Sequence, residues 1–217
     1  MMKRIKNFFT HNWSIKKLVF TLVTAVLVFF TTAVSGSLTT DLTPIWQDRL
    51  GFAPSDLFTF HWHGILTSAL VTSGGLTFWL AFALMIVLLL VSEKISGTYR
   101  TGLAFWLSHL GATIGGALLI WVTVQLSSSS LLNEIYTARD VGPSAGYFGC
   151  MGLIVAHFPR LWKYLVGFAI MAALVGGMIV SALNGATIDV AAGLAHLIAF
   201  PIGWGIGSEP FLKRSRI

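Results

Sequence analysis

Charge and cysteine are what this chain has least of. Only 10% of its 217 residues are charged, and there is a single cysteine. One cysteine excludes an intrachain disulfide framework, and a place inside an apolar run makes Cys150 a small packing residue. Soluble domains carry about 25% charged residues. So little charge, beside 55% hydrophobic residues and a mean hydropathy of +0.80, excludes an ordinary soluble fold. No long polar linker, composition shift or internal repeat divides the chain, so a multidomain organisation is excluded as well. Metal-ligand spacing is also missing. His61 and His63 stand together without further ligands and read as interfacial anchors, so neither a metal nor a cofactor is expected.

What is present is apolar sequence in six stretches, 18–34, 65–91, 102–126, 144–158, 165–183 and 190–206. Most approach the ~20 residues that cross a bilayer as helix. The expectation is an all-α membrane protein of six transmembrane helices in one domain, 18–207. A basic and aromatic N-terminus, 1–17, precedes it and a basic tail, 208–217, follows. No small-residue cleavage site clearly ends the first stretch, which therefore reads as a retained helix.

Sorting the 14 Lys and Arg residues orients the bundle. Lys3, Arg4, Lys6, Lys16, Lys17, Lys94, Arg100, Arg160, Lys163, Lys213, Arg214 and Arg216 fall on one side, and Arg49 and Arg139 on the other, so both termini are expected in the cytoplasm. The net charge of +6 follows from this sorting and from attraction to anionic lipid. The expected partner is therefore the lipid bilayer, with no nucleic acid. Simple basic sorting and a lone cysteine fit a bacterial cell membrane. The outer connection 35–63 mixes acids with Trp46, Phe52, Phe58 and Phe60 and is expected to rest at the bilayer surface.

The fourth stretch carries a candidate nucleophile. Gly142-Pro143-Ser144-Ala145-Gly146 is a G-x-S-x-G sequence, although chance supplies one in roughly one chain in six of this composition. Context adds weight. Pro143 suits a helix start, and the 15 residues up to Pro159 cover only about 22 Å of a ~30 Å hydrocarbon layer. If Arg160 and Lys163 mark the inner interface, Ser144 lies at a helix N-terminus recessed within the membrane. Such an end is tolerated where it is buried in protein or lines a wet cavity. It is electropositive and offers free N–H groups, the requirement of a developing oxyanion.

A serine nucleophile needs a base within reach. His11 and His157 belong to the cytoplasmic side, and His109 reads as a helix-to-helix hydrogen-bonding residue toward the inner part of the third span. His196, seven residues past Asp189 on a descending helix, sits roughly 10 Å deep and matches Ser144. Ala199 and Gly203 share its stripe, and Gly146, Gly149 and Gly152 offer small residues on the fourth helix. The two faces are expected to bring Ser144 and His196 together. Taken singly, a capping serine and an interfacial histidine are the plainer readings. The pair favours function, because an ionisable residue inside a span is costly.

GPSAGYFGCMG, AHLIAFPIG and SEKISGT resemble three segments of the rhomboid intramembrane serine proteases, over roughly 57–207. The resemblance implies a six-transmembrane-helix rhomboid-like bundle with a short recessed fourth helix, a Ser144-His196 dyad, and Phe148 packed on the histidine. It further implies transmembrane protein substrates admitted laterally by the fifth helix. Oxyanion support would come from the N–H groups around Ser144 and Ala145. The family's second-helix histidine and asparagine are replaced by Thr77 and Ala81, and the glycine three residues after the histidine is Ala199. Thr72 and Thr77, with Ser68 and Ser73, could lend hydroxyl donors instead. Losing one oxyanion donor costs ~10²–10³ in rate.

Two other classes are weighed against this intramembrane endopeptidase. One is a rhomboid-like protein that binds transmembrane clients without cutting them, motivated by Thr77 and Ala81. The other is a small-solute transporter, for which His109, Gln125 and His196 are the polar residues within spans. A soluble α/β-hydrolase is excluded because its serine elbow requires a strand and a sheet.

Overall fold

The computed structural model describes residues 18–127 and 129–208. The N-terminal 1–17, nearly all of the tail 208–217, Ser128 and the basic residues of both ends lie outside the described residues. Those described are helical throughout, joined by short connections, with two isolated bridges and no named strand among them. The helices are α1 (Val19–Val34), α2 (Pro44–Leu50), α3 (His63–Thr67), α4 (Gly75–Ser96) and α5 (Thr98–Leu126). They continue with α6 (Ser130–Thr137), α7 (Ser144–Ala156), α8 (Arg160–Leu183) and α9 (Thr187–Ser208).

Four of them, α4, α5, α8 and α9, are long and apolar enough to cross a membrane, while α1 and α7 are apolar but shorter. Large side chains such as Val26, Phe30, Leu80, Phe168 and Val180 are exposed around the outside of the bundle. An apolar exterior of this extent is the makeup of a multi-pass membrane protein, for which lipid rather than water is the solvent.

The second apolar stretch is not one helix. Residues 65–74, expected inside the second span, form the end of α3, a short 3-10 turn at Ser68–Leu70 and an extended piece; the long helix begins only at Gly75. Gly74 and Gly75 take φ of 86° and 56°, backbone that interrupts a helix and that glycine adopts at little cost. The Leu42 N–H donates to the Ser73 carbonyl at 2.8 Å and the Gly75 N–H to the Ser37 carbonyl at 3.0 Å, so the outer connection fills the break. Hydropathy averages over such a break and misses it.

The core surrounds α7, which is buried along most of its length against α5 on one side and α9 on the other. Glycine permits this closeness. A Cβ on Gly203 of α9 would overlap the Gly149 carbonyl, and one on Gly152 would overlap the Phe200 carbonyl, so the two backbones touch. Gly149 also faces Ser108 of α5. Gly146, expected on the α9 side, faces the Phe105 ring of α5 instead. A helix squeezed between two neighbours must present small residues to both. In contrast, α8 buries only Gly167 and sits at the edge of the bundle.

Two polar ties close one end of the bundle. The Arg100 guanidinium donates to the Ile206 carbonyl at 2.6 Å, joining α5 to the last turn of α9. Glu93, buried at the end of α4, accepts from the first backbone N–H groups of α1.

Candidate functional site

Ser144 opens α7, with Pro143 in the N-cap position and no side chain capping the helix. The first intrahelical bond is that of the Tyr147 N–H to the Pro143 carbonyl, 3.0 Å. Helix geometry therefore leaves the Ser144, Ala145 and Gly146 N–H groups without a partner inside the helix. These are the free N–H groups that the sequence leads one to expect at this position.

The chain ahead of Ser144 is held from outside. Phe52 and Asp140 exchange two backbone bonds of 3.1 and 2.9 Å, and the Gly142 N–H donates to the Ser68 carbonyl at 2.9 Å. Gln47 Nε2 donates to the Arg139 carbonyl at 2.9 Å. The Arg139 guanidinium pairs with Asp48 at 2.9 Å and also with Asp56, whose carboxylate is nearly inaccessible. The outer connection thus clamps the residues that aim Ser144, beyond the role of surface anchoring expected for it.

Ser144 is half-buried and lines a cavity of about 60 Å³ together with Ser68, His109, Asp140, Ala145 and Ala195. A water needs about 10–15 Å³ by this measure, so the space admits several. Ala145, Ala112 and Ala199 pack into a cluster of buried small residues beside it, bringing α7, α5 and α9 together.

His196 reaches the site from α9. Its ring lies flat on Phe148, with centroids 4.0 Å apart and planes at 14°. Phe148 is one helical turn from Ser144 and on the same face, which puts the imidazole beside the start of α7. His196 Nε2 is buried and has no hydrogen-bond partner among the described residues, Ser144 Oγ included. The stack with Phe148 ties His196 to the helix that Ser144 opens, with no hydrogen bond from Nε2 to Ser144. Asp189 is exposed at the first turn of α9, so it is no third member.

The proposed hydroxyl support is corrected by the structure. Thr77 is exposed on the first turn of α4 and does not line the cavity. Thr72 is buried, but its hydroxyl accepts from the Gly74 N–H at 3.4 Å and serves the break before α4. Of the four hydroxyls considered, Ser68 alone lines the cavity. Gln125, counted among the residues within spans, is exposed near the C-terminal end of α5.

His109 makes the hydrogen bonds between helices expected of it and also faces the site. It lines the same cavity as Ser144, with its Nε2 2.9 Å from the Ile65 carbonyl and 3.4 Å from Ser68 Oγ. The signal was available, since an ionisable residue in an apolar helix is as costly at 109 as at 196. Its orientation was not.

Cys150 packs against the Thr101 carbonyl, as a small core residue. His61 and His63 bond to Thr59 and to the Arg49 carbonyl, both exposed. No group of three or more metal-ligating side chains occurs among the described residues.

Asp140, in the connection ahead of α7, has its carboxyl pushed from the ordinary 3.8 up to about 6 by removal from solvent, partly offset by the Val141 N–H. A raised acid pKa means that the folded chain binds the proton more tightly than the unfolded one. Its stabilisation is therefore complete below pH 3.8 and is lost as pH rises through about 6. Melting temperatures of wild type and Asp140→Asn, measured from pH 4 to 7, are expected to diverge. The wild type declines relative to the variant up to about pH 6 and runs parallel above it. Parallel curves throughout would refute the assignment.

No family model, no curated protein and no solved structure shows significant similarity to this chain.

Proposed function

We propose that the chain is an intramembrane serine endopeptidase of the rhomboid kind, cutting transmembrane segments of substrate proteins. In this reading α1, α4, α5, α7, α8 and α9 form six spans with α7 short and recessed. Both termini lie in the cytoplasm of a bacterial cell. The observation that carries it is the His196 ring stacked on Phe148, one turn from a serine at an uncapped helix N-terminus that opens on a cavity.

The chemistry follows from those positions. Ser144 Oγ attacks the scissile carbonyl carbon while His196 takes its proton and returns it to the leaving amine. The oxyanion is met by the N–H groups of Ser144 and Ala145 at the positive end of α7. No cofactor enters the scheme. With Thr77 turned outward, the backbone carries the oxyanion unaided by the second long helix, and the cleavage rate is expected to be low.

A second reading, a protein that holds transmembrane clients without cutting them, is favoured by one observation: the absent bond between His196 Nε2 and Ser144. A serine-reactive fluorophosphonate separates the two. The endopeptidase labels on Ser144, and Ser144→Ala or His196→Ala lowers labelling at least ~10³-fold. A binding protein takes no label in any form.

A further inference from the structure

We infer that His109 is a positioning residue of this site, holding the water that releases the acyl group from Ser144. The inference rests on the serine-nucleophile reading above.

Three observations lead to it. Ser144 and His109 line one cavity, to whose wall α9 contributes Ala191 and Ala195. Water stored there lies beside both Ser144 and His109. Second, the orientation of the ring is fixed. A carbonyl oxygen can only accept, so the 2.9 Å contact with Ile65 makes Nε2 the protonated nitrogen. The Trp106 ring, centroids 6.2 Å away and planes at 88°, stands perpendicular to the same imidazole. Third, the neutral ring is left with its lone pair on Nδ1, which is buried and has no partner among the described residues. Buried acceptors are nearly always satisfied by protein or by water. The ring lines a cavity with room for water, and the described residues supply Nδ1 with no donor.

In the release step, the acyl group is an ester between the substrate carbonyl carbon and Ser144 Oγ. One hydrogen of the water is held by His109 Nδ1, which aims the oxygen at that carbon. As the new carbon–oxygen bond forms and the bond to Oγ breaks, the other hydrogen passes as a proton to His196 and from there to Oγ. A carboxylic acid leaves, Ser144 regains its hydroxyl, and His109 gains no proton. Acylation, by contrast, uses no water. The two half-reactions thus depend on His109 unequally.

Two variants separate this role from a structural one. His109→Gln places an N–H where Nε2 was, keeping the tie to Ile65, and lacks the Nδ1 acceptor. His109→Asn places an oxygen near Nδ1 and loses the tie. The full chain in detergent is given p-nitrophenyl butyrate, whose initial burst reports acylation and whose steady rate reports release. His109→Gln is expected to label with fluorophosphonate and to burst at the wild-type rate. Its steady rate falls roughly 10–100-fold, butyryl-Ser144 accumulates, and the melting temperature is unchanged. His109→Asn melts lower yet retains more of the steady rate relative to the burst.

A wild-type steady rate in His109→Gln, or burst and steady rate falling together, overturns the assignment. So does a wild type that labels but never releases butyrate. Wild type without fluorophosphonate labelling overturns the serine reading itself, so the two failures are told apart.

Discussion

Gly203→Ala is expected to push α9 away from α7 and to lose both stability and any serine reactivity, while Gly205→Ala, two residues along the same helix, does neither. Helix propensity alone argues the other way, since alanine in place of glycine gains about 1 kcal/mol in a helix. At Gly205 nothing lies within 4 Å of the added methyl group, so propensity decides and the variant is neutral or slightly more stable. At Gly203 the methyl meets the Gly149 carbonyl, a backbone atom that cannot rotate aside. Overpacking costs about 1–3 kcal/mol where side chains can yield, and more where a backbone must move. The contact therefore wins over propensity by about 2 kcal/mol or more. The displacement also carries the Phe148–His196 stack, so on the proposed endopeptidase reading the labelling of Ser144 falls as well. Unfolding in detergent and labelling of both variants test this. Equal behaviour of the two glycines would show that the helices do not meet at Gly203.

Glu93→Ala is the second large effect. This buried carboxylate accepts from the Phe20 N–H at 3.0 Å, the Thr21 N–H at 2.9 Å, Thr21 Oγ1 at 2.7 Å and Thr98 Oγ1 at 2.6 Å. It caps α1 from another helix, occupying the place that a serine or aspartate of α1 itself would otherwise take, and its charge complements the positive end of that helix. Alanine strands two backbone donors and two hydroxyls in a buried place, each worth about 1–3 kcal/mol when left unpaired. Even with water recovering half of them, a loss of about 3 kcal/mol or more is expected. Thr98→Val, which removes one of the four bonds, is expected to cost about 1 kcal/mol. Denaturant titration of the two variants gives the ratio. A Glu93→Ala protein within 1 kcal/mol of wild type would mean that α1 does not depend on this carboxylate.

The parts of the fold that the sequence made legible share a cause. Polar punctuation bounds the apolar runs of α1, α7 and α9, so length and position along the helix axis could be read to within a few residues. The start of α7 at Ser144 could be read because Pro143 fits a helix start and Pro159 with Arg160 stops the run too soon to cross. The break at Gly74 and Gly75 was hidden, because both flanks are apolar and hydropathy carries no record of φ. Rotation was hidden too. A soluble helix shows its inward face as an apolar stripe against a polar one. Here lipid-facing and protein-facing sides are both apolar, so nothing in the sequence tells that His109 turns toward the cavity, Gly146 toward Phe105, or Thr77 outward.

Transfer free energy acts residue by residue along the chain, and so the residues alone determined that this is a helical membrane protein with one helix cut short at Ser144. Contact acts between helices. Which imidazole faces the cavity, which neighbour Gly146 meets, and which hydroxyls stay out of reach were decided only when α7 settled between α5 and α9, because close packing at glycine fixes each helix's rotation where hydrophobicity leaves it free.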